Sequence, residues 1–334
     1  MPAAPVQRYK RAKVETEAKV DRARGGERPG EASFAEARAV ALGEMLSMND
    51  PGFSLARRAL TRVFDVPASA LARTLVEFDR DTARTTLREA SLRMLRRHGV
   101  TARLDRGRGM GLPTPLEALA RPTSLASGDE ARPAHPVPSA GPLLIISNHP
   151  GLYDALTLFA AIGREDLRTL AARRPLLEAL PSIRARLIAI VPGAEGAIAV
   201  RQAVRHLRAG GALLHFPAGR IEPDPRVTPE GTPRLATWQP GLEVLLAAAA
   251  RTEARVMTAL VSGVVSRRAL GLARLLRPEP LTDPLAPFLQ TSLPGFGDLD
   301  VRVRFGEARP AEGASVDGLR AELEALAREA SMLR

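Results

Sequence analysis

The sequence predicts an α/β protein: a mixed, largely parallel central sheet flanked by helices, preceded by a small helical N-terminal region. Three observations carry that expectation. Short apolar runs recur through residues 142–310, at Leu143 to Ile146, Leu187 to Val191, Ala212 to Phe216, Val256 to Val261, and in the alternating "VRVRF" that ends at Phe305. Helical stretches separate them, at Ala155 to Gly163, Ala197 to Leu207 and Leu242 to Arg251; strands alternating with helices are the pattern of crossover-connected strands. Finally, 334 residues at 45% hydrophobic content can bury a large core and are too apolar for a disordered chain.

Taken in order, residues 1–32 mix both charge signs with almost no large apolar side chains. They read as a mobile charged tail, either a solvated arm or a basic hook for membrane phosphates. Residues 33–110 read as the helical region: Leu71, Leu75 and Phe78 share one face, Leu87, Ser91 and Leu95 another, and Gly99 supplies a stop. Residues 111–141 are rich in proline, serine and glycine and read as a linker or long loop. The α/β domain follows at 142–310. Residues 311–334 form an amphipathic C-terminal helix with Leu319, Leu323, Leu326, Ala330 and Leu333 on one stripe. Such a stripe either docks onto the domain or lies on a membrane.

Composition excludes several classes of function. With no cysteine there are no disulfides, thiolate metal sites or cysteine nucleophiles. The net charge of +11 points to polyanionic partners. Nucleic acid is not expected among them, because 4% aromatic content is thin for stacking bases. The first twenty residues lack an apolar signal core, and no run approaches the roughly 18 apolar residues of a spanning helix. A cytoplasmic protein is expected. No P-loop, nucleophile elbow or H-E-x-x-H helix occurs, and no second ligand cluster accompanies a histidine, so no metal is expected.

Two stretches carry candidate chemistry. In "IISNHPGLYD" an apolar strand ends at Asn148 and His149, and Asp154 follows a Pro150-Gly151 turn. An i, i+5 pair sits roughly 140° apart on a regular helix, so a turn must bring the two together. A carboxylate on one ring nitrogen fixes the tautomer and leaves the other nitrogen to take a proton from an alcohol; the alternative is a histidine merely bonded to nearby backbone. In "GGALLHFPAGR" a strand runs into Phe216, Pro217, Ala218, Gly219 and Arg220. Ligand crevices of α/β sheets lie at the carboxyl ends of strands, and an arginine after a tight loop suits a phosphate.

Together these stretches resemble the glycerolipid acyltransferase superfamily, the family of lysophosphatidic acid and glycerol-phosphate acyltransferases. Its N-H-x4-D signature is matched by Asn148, His149 and Asp154, and its F-P-E-G signature by Phe216, Pro217 and Gly219. The resemblance extends over residues 142–308. It departs at Ala218, where the family has glutamate, and at Arg220, which directly follows the glycine; a small residue there is similar to the hemolysin-like and ornithine-lipid branch.

The resemblance implies an acyltransferase acting at the cytoplasmic membrane face as a peripheral protein. A fatty acyl group moves from acyl-CoA or acyl carrier protein, as co-substrate, to a hydroxyl of a glycerolipid or related lyso-lipid, without a cofactor. His149 is then the general base, oriented by Asp154; Asn148, Phe216, Pro217, Gly219 and Arg220 bind substrate. Arg201 and Arg205, on the preceding helix, either add phosphate contacts or are solvated. A non-catalytic lipid-binding protein of the same fold is the alternative.

Overall fold

The computed structural model describes residues 57–105, 113–119, 137–190, 196–276, 285–292 and 299–332, with Phe34, Ala37, Arg38 and Phe296. The expected tail at 1–32 lies outside the described residues, as does most of the expected linker at 111–141.

Helices α1 (Arg57–Arg84) and α2 (Leu87–Arg97) come first, then strands β1 (Val100–Leu104) and β2 (Thr114–Pro115) and the short helix α3 (Leu116–Leu119). Strand β3 (Leu143–Ser147) leads into α4 (Leu152–Ile162); β4 (Arg168–Ala172) precedes the short helices α5 (Pro175–Glu178) and α6 (Pro181–Ala185). Next come β5 (Leu187–Ile190), α7 (Gly196–Arg208), β6 (Ala212–His215), α8 (Gly241–Ala250) and β7 (Arg255–Ser262). Helices α9 (Arg267–Leu276) and α10 (Leu285–Ser292), strands β8 (Leu299–Phe305) and β9 (Arg309–Pro310), and helix α11 (Val316–Ser331) complete the chain.

The chain divides into two compact units, one of residues 1–84 with 173–185 and one of residues 85–172 with 186–334. In the first, Leu71, Leu75 and Phe78 of α1 are buried together on the expected face. Asp79 on the same helix accepts the amides of Ser182 and Ile183 at 2.8 and 2.9 Å, capping the start of α6.

The second unit holds a nine-stranded sheet in the order β2-β1-β8-β7-β3-β6-β4-β5, with β9 on β7. Strands β7, β3, β6, β4 and β5 run parallel; β8 is antiparallel to β7 and parallel to β1. The expected largely parallel sheet is present. All five side chains of β3 are buried, as an unbroken apolar run with strands on both sides and helices on both faces requires. Leu144 and Ile146 face a cluster that takes in Ala199, Ala203 and Leu207 of α7, Leu242 and Leu245 of α8, and Leu319, Leu323 and Ala327 of α11. Leu319, Leu323, Leu326 and Ala330 of the expected stripe therefore dock on the sheet, the first of its two expected placements, and Leu333 lies outside the described residues. Burial of these side chains contributes about 1.5 to 3 kcal/mol for each large aliphatic one.

The register sets Ile146 beside His215 and Ser147 beside Ala259. The carboxyl ends of β3, β6 and β7 thus lie side by side, and everything that follows them gathers at one edge.

Four strands are not among the expected runs: the two-residue β2 and β9, of which β2 and the short α3 fall in the segment expected to be a linker, and the longer β1 and β4. β1 falls in the segment expected to be helical: Val100, Ala102 and Leu104 are buried while Thr101 is exposed, a period of two too short to register beside a strong helix. It is fixed by pairing with β8, from Val100 opposite Leu299 to Leu104 opposite Val303. β4, "RTLAA", has little strand character of its own and is held by β5 and β6 on its two sides. Among the described residues no helix is long and apolar enough to cross a membrane.

Candidate active site

β3 delivers Asn148 and His149 to the edge of the sheet, and Pro150 and Gly151 turn the chain into α4. A Cβ on Gly151 would lie 3.2 Å from Val264 Cγ1 and 3.4 Å from Pro287 Cγ, so the turn packs tightly against both and a side chain there would press on them. Asp154 sits in the first turn of α4, where a carboxylate is favoured by the helix dipole. Its Oδ2 accepts the Gly151 amide at 3.0 Å and bonds His149 Nδ1 at 2.8 Å, and its Oδ1 accepts the Ala155 amide. The pair meets because only Asp154 belongs to the helix; His149 lies before the turn.

With Nδ1–H donating to the carboxylate, the lone pair of the neutral ring resides on Nε2, on the side away from Asp154. The His149 side chain is 30% exposed and Asp154 fully buried, so the ring reaches solvent while its partner is sealed. The other described histidines stand in different surroundings. His98 bonds the Tyr153 hydroxyl at 3.0 Å, and His206 bonds the Ala212 carbonyl at 2.9 Å. His215 is buried, and burial pushes its imidazole down to about 4, so it is neutral.

Asn148, expected against the substrate, is buried. Its Nδ2 donates to the Val261 carbonyl and its Oδ1 accepts the Val261 amide, both at 2.8 Å. This clasp ties the end of β3 to β7, and through it Asn148 positions His149.

The loop after β6 brings Phe216 over the histidine, with ring centroids 4.7 Å apart and planes tilted by 33°. Pro217 is buried and its carbonyl accepts the Gln239 amide at 2.8 Å. Gly219 closes the turn with φ +63°, in the left-handed region that favours glycine, and its amide donates to Phe216 O at 3.1 Å. Ala218 is 1% exposed and belongs to the apolar cluster under the sheet. A glutamate here would bury a carboxylate in apolar surroundings at a cost of several kcal/mol, which gives the alanine a physical reason. Arg220 is exposed and makes no hydrogen bond or ion pair among the described residues.

The structure adds two carboxylates that the sequence did not single out. Glu222 is fully buried; its Oε2 accepts the His149 amide at 3.0 Å, its Oε1 the Ala236 amide at 2.8 Å, and its own amide donates to His149 O at 2.8 Å. Burial pushes this carboxyl up to about 7, against the pull of the two amides and of the His149 and Arg320 charges. Asp224, also fully buried, accepts the amides of Gly263 and Val265 at 2.9 Å and of Arg226 at 3.0 Å. Burial raises its pKa as well, opposed by those amides. Their only signal in sequence is acidic residues alternating with Pro223 and Pro225, which equally describes a solvated loop.

Thus His149, Asp154 and the Phe216–Arg220 loop gather at the strand ends. Arg201 stands elsewhere, with Arg205 on the exposed face of α7, lining a groove against α8. Among the described residues no group of three or more His, Cys, Asp or Glu is placed to hold a metal ion.

No family model matches the chain, and no curated protein matches it. Among solved structures it is similar to the 1-acyl-sn-glycerophosphate (LPA) acyltransferase PlsC from Thermotoga maritima, at 14% identity and a TM-score of 0.42, over 90% of this chain and 92% of that one. A likeness of that order speaks to neither activity nor substrate.

Proposed function

We propose that the protein is an acyltransferase that moves a fatty acyl group from an acyl-CoA or acyl carrier protein thioester to a hydroxyl of a glycerolipid or related lyso-lipid. The observation that carries this reading is the 2.8 Å bond from His149 Nδ1 to a sealed Asp154, at the sheet edge where ligand crevices form. His149 Nε2 takes the proton of the acceptor hydroxyl as its oxygen attacks the thioester carbonyl carbon; Asp154 stabilises the imidazolium that forms. The tetrahedral intermediate collapses with loss of the C–S bond, and the imidazolium returns its proton to the leaving thiolate. An ester and a free thiol result, with no covalent enzyme intermediate.

Arg220, exposed beside Gly219, would meet a phosphate on donor or acceptor, a reading supported by its place next to the loop that follows β6. The charge of +11 supports action at an anionic membrane face, from which high salt releases the protein.

The test is thiol release by the purified protein from palmitoyl-CoA and palmitoyl carrier protein, across a panel of lyso-phospholipids and lyso-ornithine lipid. Product ester should appear by mass spectrometry, and His149→Ala and Asp154→Asn should each abolish most of it at unchanged melting temperature. Thiol release that persists in both variants, or none with any donor and acceptor, overturns the reading.

A further inference from the structure

Helices α7 and α8 cover the same face of the sheet, and both run back from the edge that carries His149 toward the opposite edge. Between them lies an open groove of about 680 Å³. Arg201, Arg205 and Arg208 line one wall, spaced so that one side of α7 presents all three; Arg251, just past the end of α8, faces them. All four are exposed, and none of their side chains makes an ion pair or hydrogen bond among the described residues. Among the described residues no carboxylate lines the groove. Its floor is valine and alanine, among them Val244, 58% exposed, and Ala247.

An apolar floor between cationic walls calls for an elongated ligand that is apolar along one ridge and anionic on both flanks. Arg201 to Arg208 spans about 10 Å of helix, more than one phosphate group can bridge. A helix has the required shape, since its side-chain ridge fits between two others and its flanking positions reach both walls.

We propose that the α7–α8 groove docks an acidic amphipathic helix of a partner protein. The apolar ridge of that helix covers Val244 and Ala247, and its carboxylates pair with Arg201, Arg205, Arg208 and Arg251. Such pairs are bidentate where geometry allows and weaken with salt. The inference stands on the groove alone and does not depend on the chemistry assigned to His149.

The experiment is fluorescence anisotropy of a labelled amphipathic peptide of about 16 residues, about 24 Å as a helix, with leucines on one face and glutamates beside them. A control peptide carries lysines in place of the glutamates, and phosphatidylglycerol vesicles provide a third arm. The glutamate peptide should bind the full-length protein and the lysine peptide should not. The double variant Arg201→Glu/Arg205→Glu should weaken glutamate-peptide binding by about tenfold or more and create binding of the lysine peptide. Ala247→Trp, which fills the floor while keeping every charge, should also weaken binding. Equal binding of both peptides by the wild-type chain overturns the proposal, and so does an Ala247→Trp variant that binds as wild type. Vesicle binding that depends on Arg201 and Arg205, with no peptide binding, replaces the partner helix by a lipid surface. The two-peptide comparison on the unmodified chain decides the matter even if a variant fails to fold.

Discussion

The turn after β3 and the loop after β6 leave neighbouring parallel strands at one edge of the sheet, yet they are held by different means. The β3 turn is short: Pro150 and Gly151 bend the chain, and Asp154, three residues beyond the glycine, closes onto both the Gly151 amide and the His149 ring. Its geometry is written within a few residues. The β6 loop runs from Phe216 to Pro240 and is stitched down by two buried carboxylates whose partners lie far away, Glu222 on His149 and Asp224 on Gly263 and Val265. A local turn can place a side chain; a long loop needs distant anchors to place one as firmly. Phe216 over the His149 ring is what the anchors achieve.

Substitutions at the turn should sharpen the contrast most. His149→Ala is expected to cut acyl transfer about 10²- to 10⁴-fold with little change in melting temperature. Adding Asp154→Asn should then cost little more, since the two act as one unit. A double variant whose loss equals the product of the single losses would show the two acting separately.

The long loop should answer to stability and pH instead. The Glu222 carboxyl is raised from 4.5 to about 7, so between those pH values the unfolded chain has released a proton that the folded chain still holds. Its contribution to stability is therefore greatest below pH 4.5 and falls by about 3 kcal/mol as pH climbs to 7. Glu222→Gln should flatten this segment of the melting-temperature curve; parallel curves for variant and wild type would place the titration elsewhere.

Asp224→Asn should follow with a smaller effect. An amide nitrogen replaces one of two accepting oxygens, at a cost of about 1 to 3 kcal/mol, or a melting temperature lower by about 2 to 4 °C for each of those. A drop confined to Glu222 variants would make Asp224 dispensable to the loop. The smallest change is expected at exposed Arg220: Arg220→Ala should raise KM for a phosphate-bearing acceptor about three- to tenfold at nearly constant kcat. An unchanged KM would leave Arg220 outside the site.

The same division explains what the sequence disclosed. The run Leu143–Ile146, buried on both faces, and the stripe Leu319–Leu323–Ala330 follow from local periodicity, and both are where that periodicity puts them. The His149–Asp154 contact follows from a turn between two residues close in sequence. β1 and β4 do not, because each depends on a neighbouring strand from another part of the chain. The resemblance to the N-H-x4-D signature put Asn148 against the substrate, while its amide is bonded to the backbone of Val261, on a strand that only the sheet order places beside it. Glu222 and Asp224 were illegible for the same reason: nothing near them in sequence tells a buried carboxylate from a solvated one.

One carboxylate that accepts two distant amides also has a kinetic meaning. The N–H groups of His149 and Ala236 both end on Glu222. If the side chain swings away, both protons meet water together, so their deuterium exchange should share one opening event and one free energy. Lifting the long loop then also releases the backbone of the histidine, so exchange at the His149 amide reports the opening of a loop that follows a different strand.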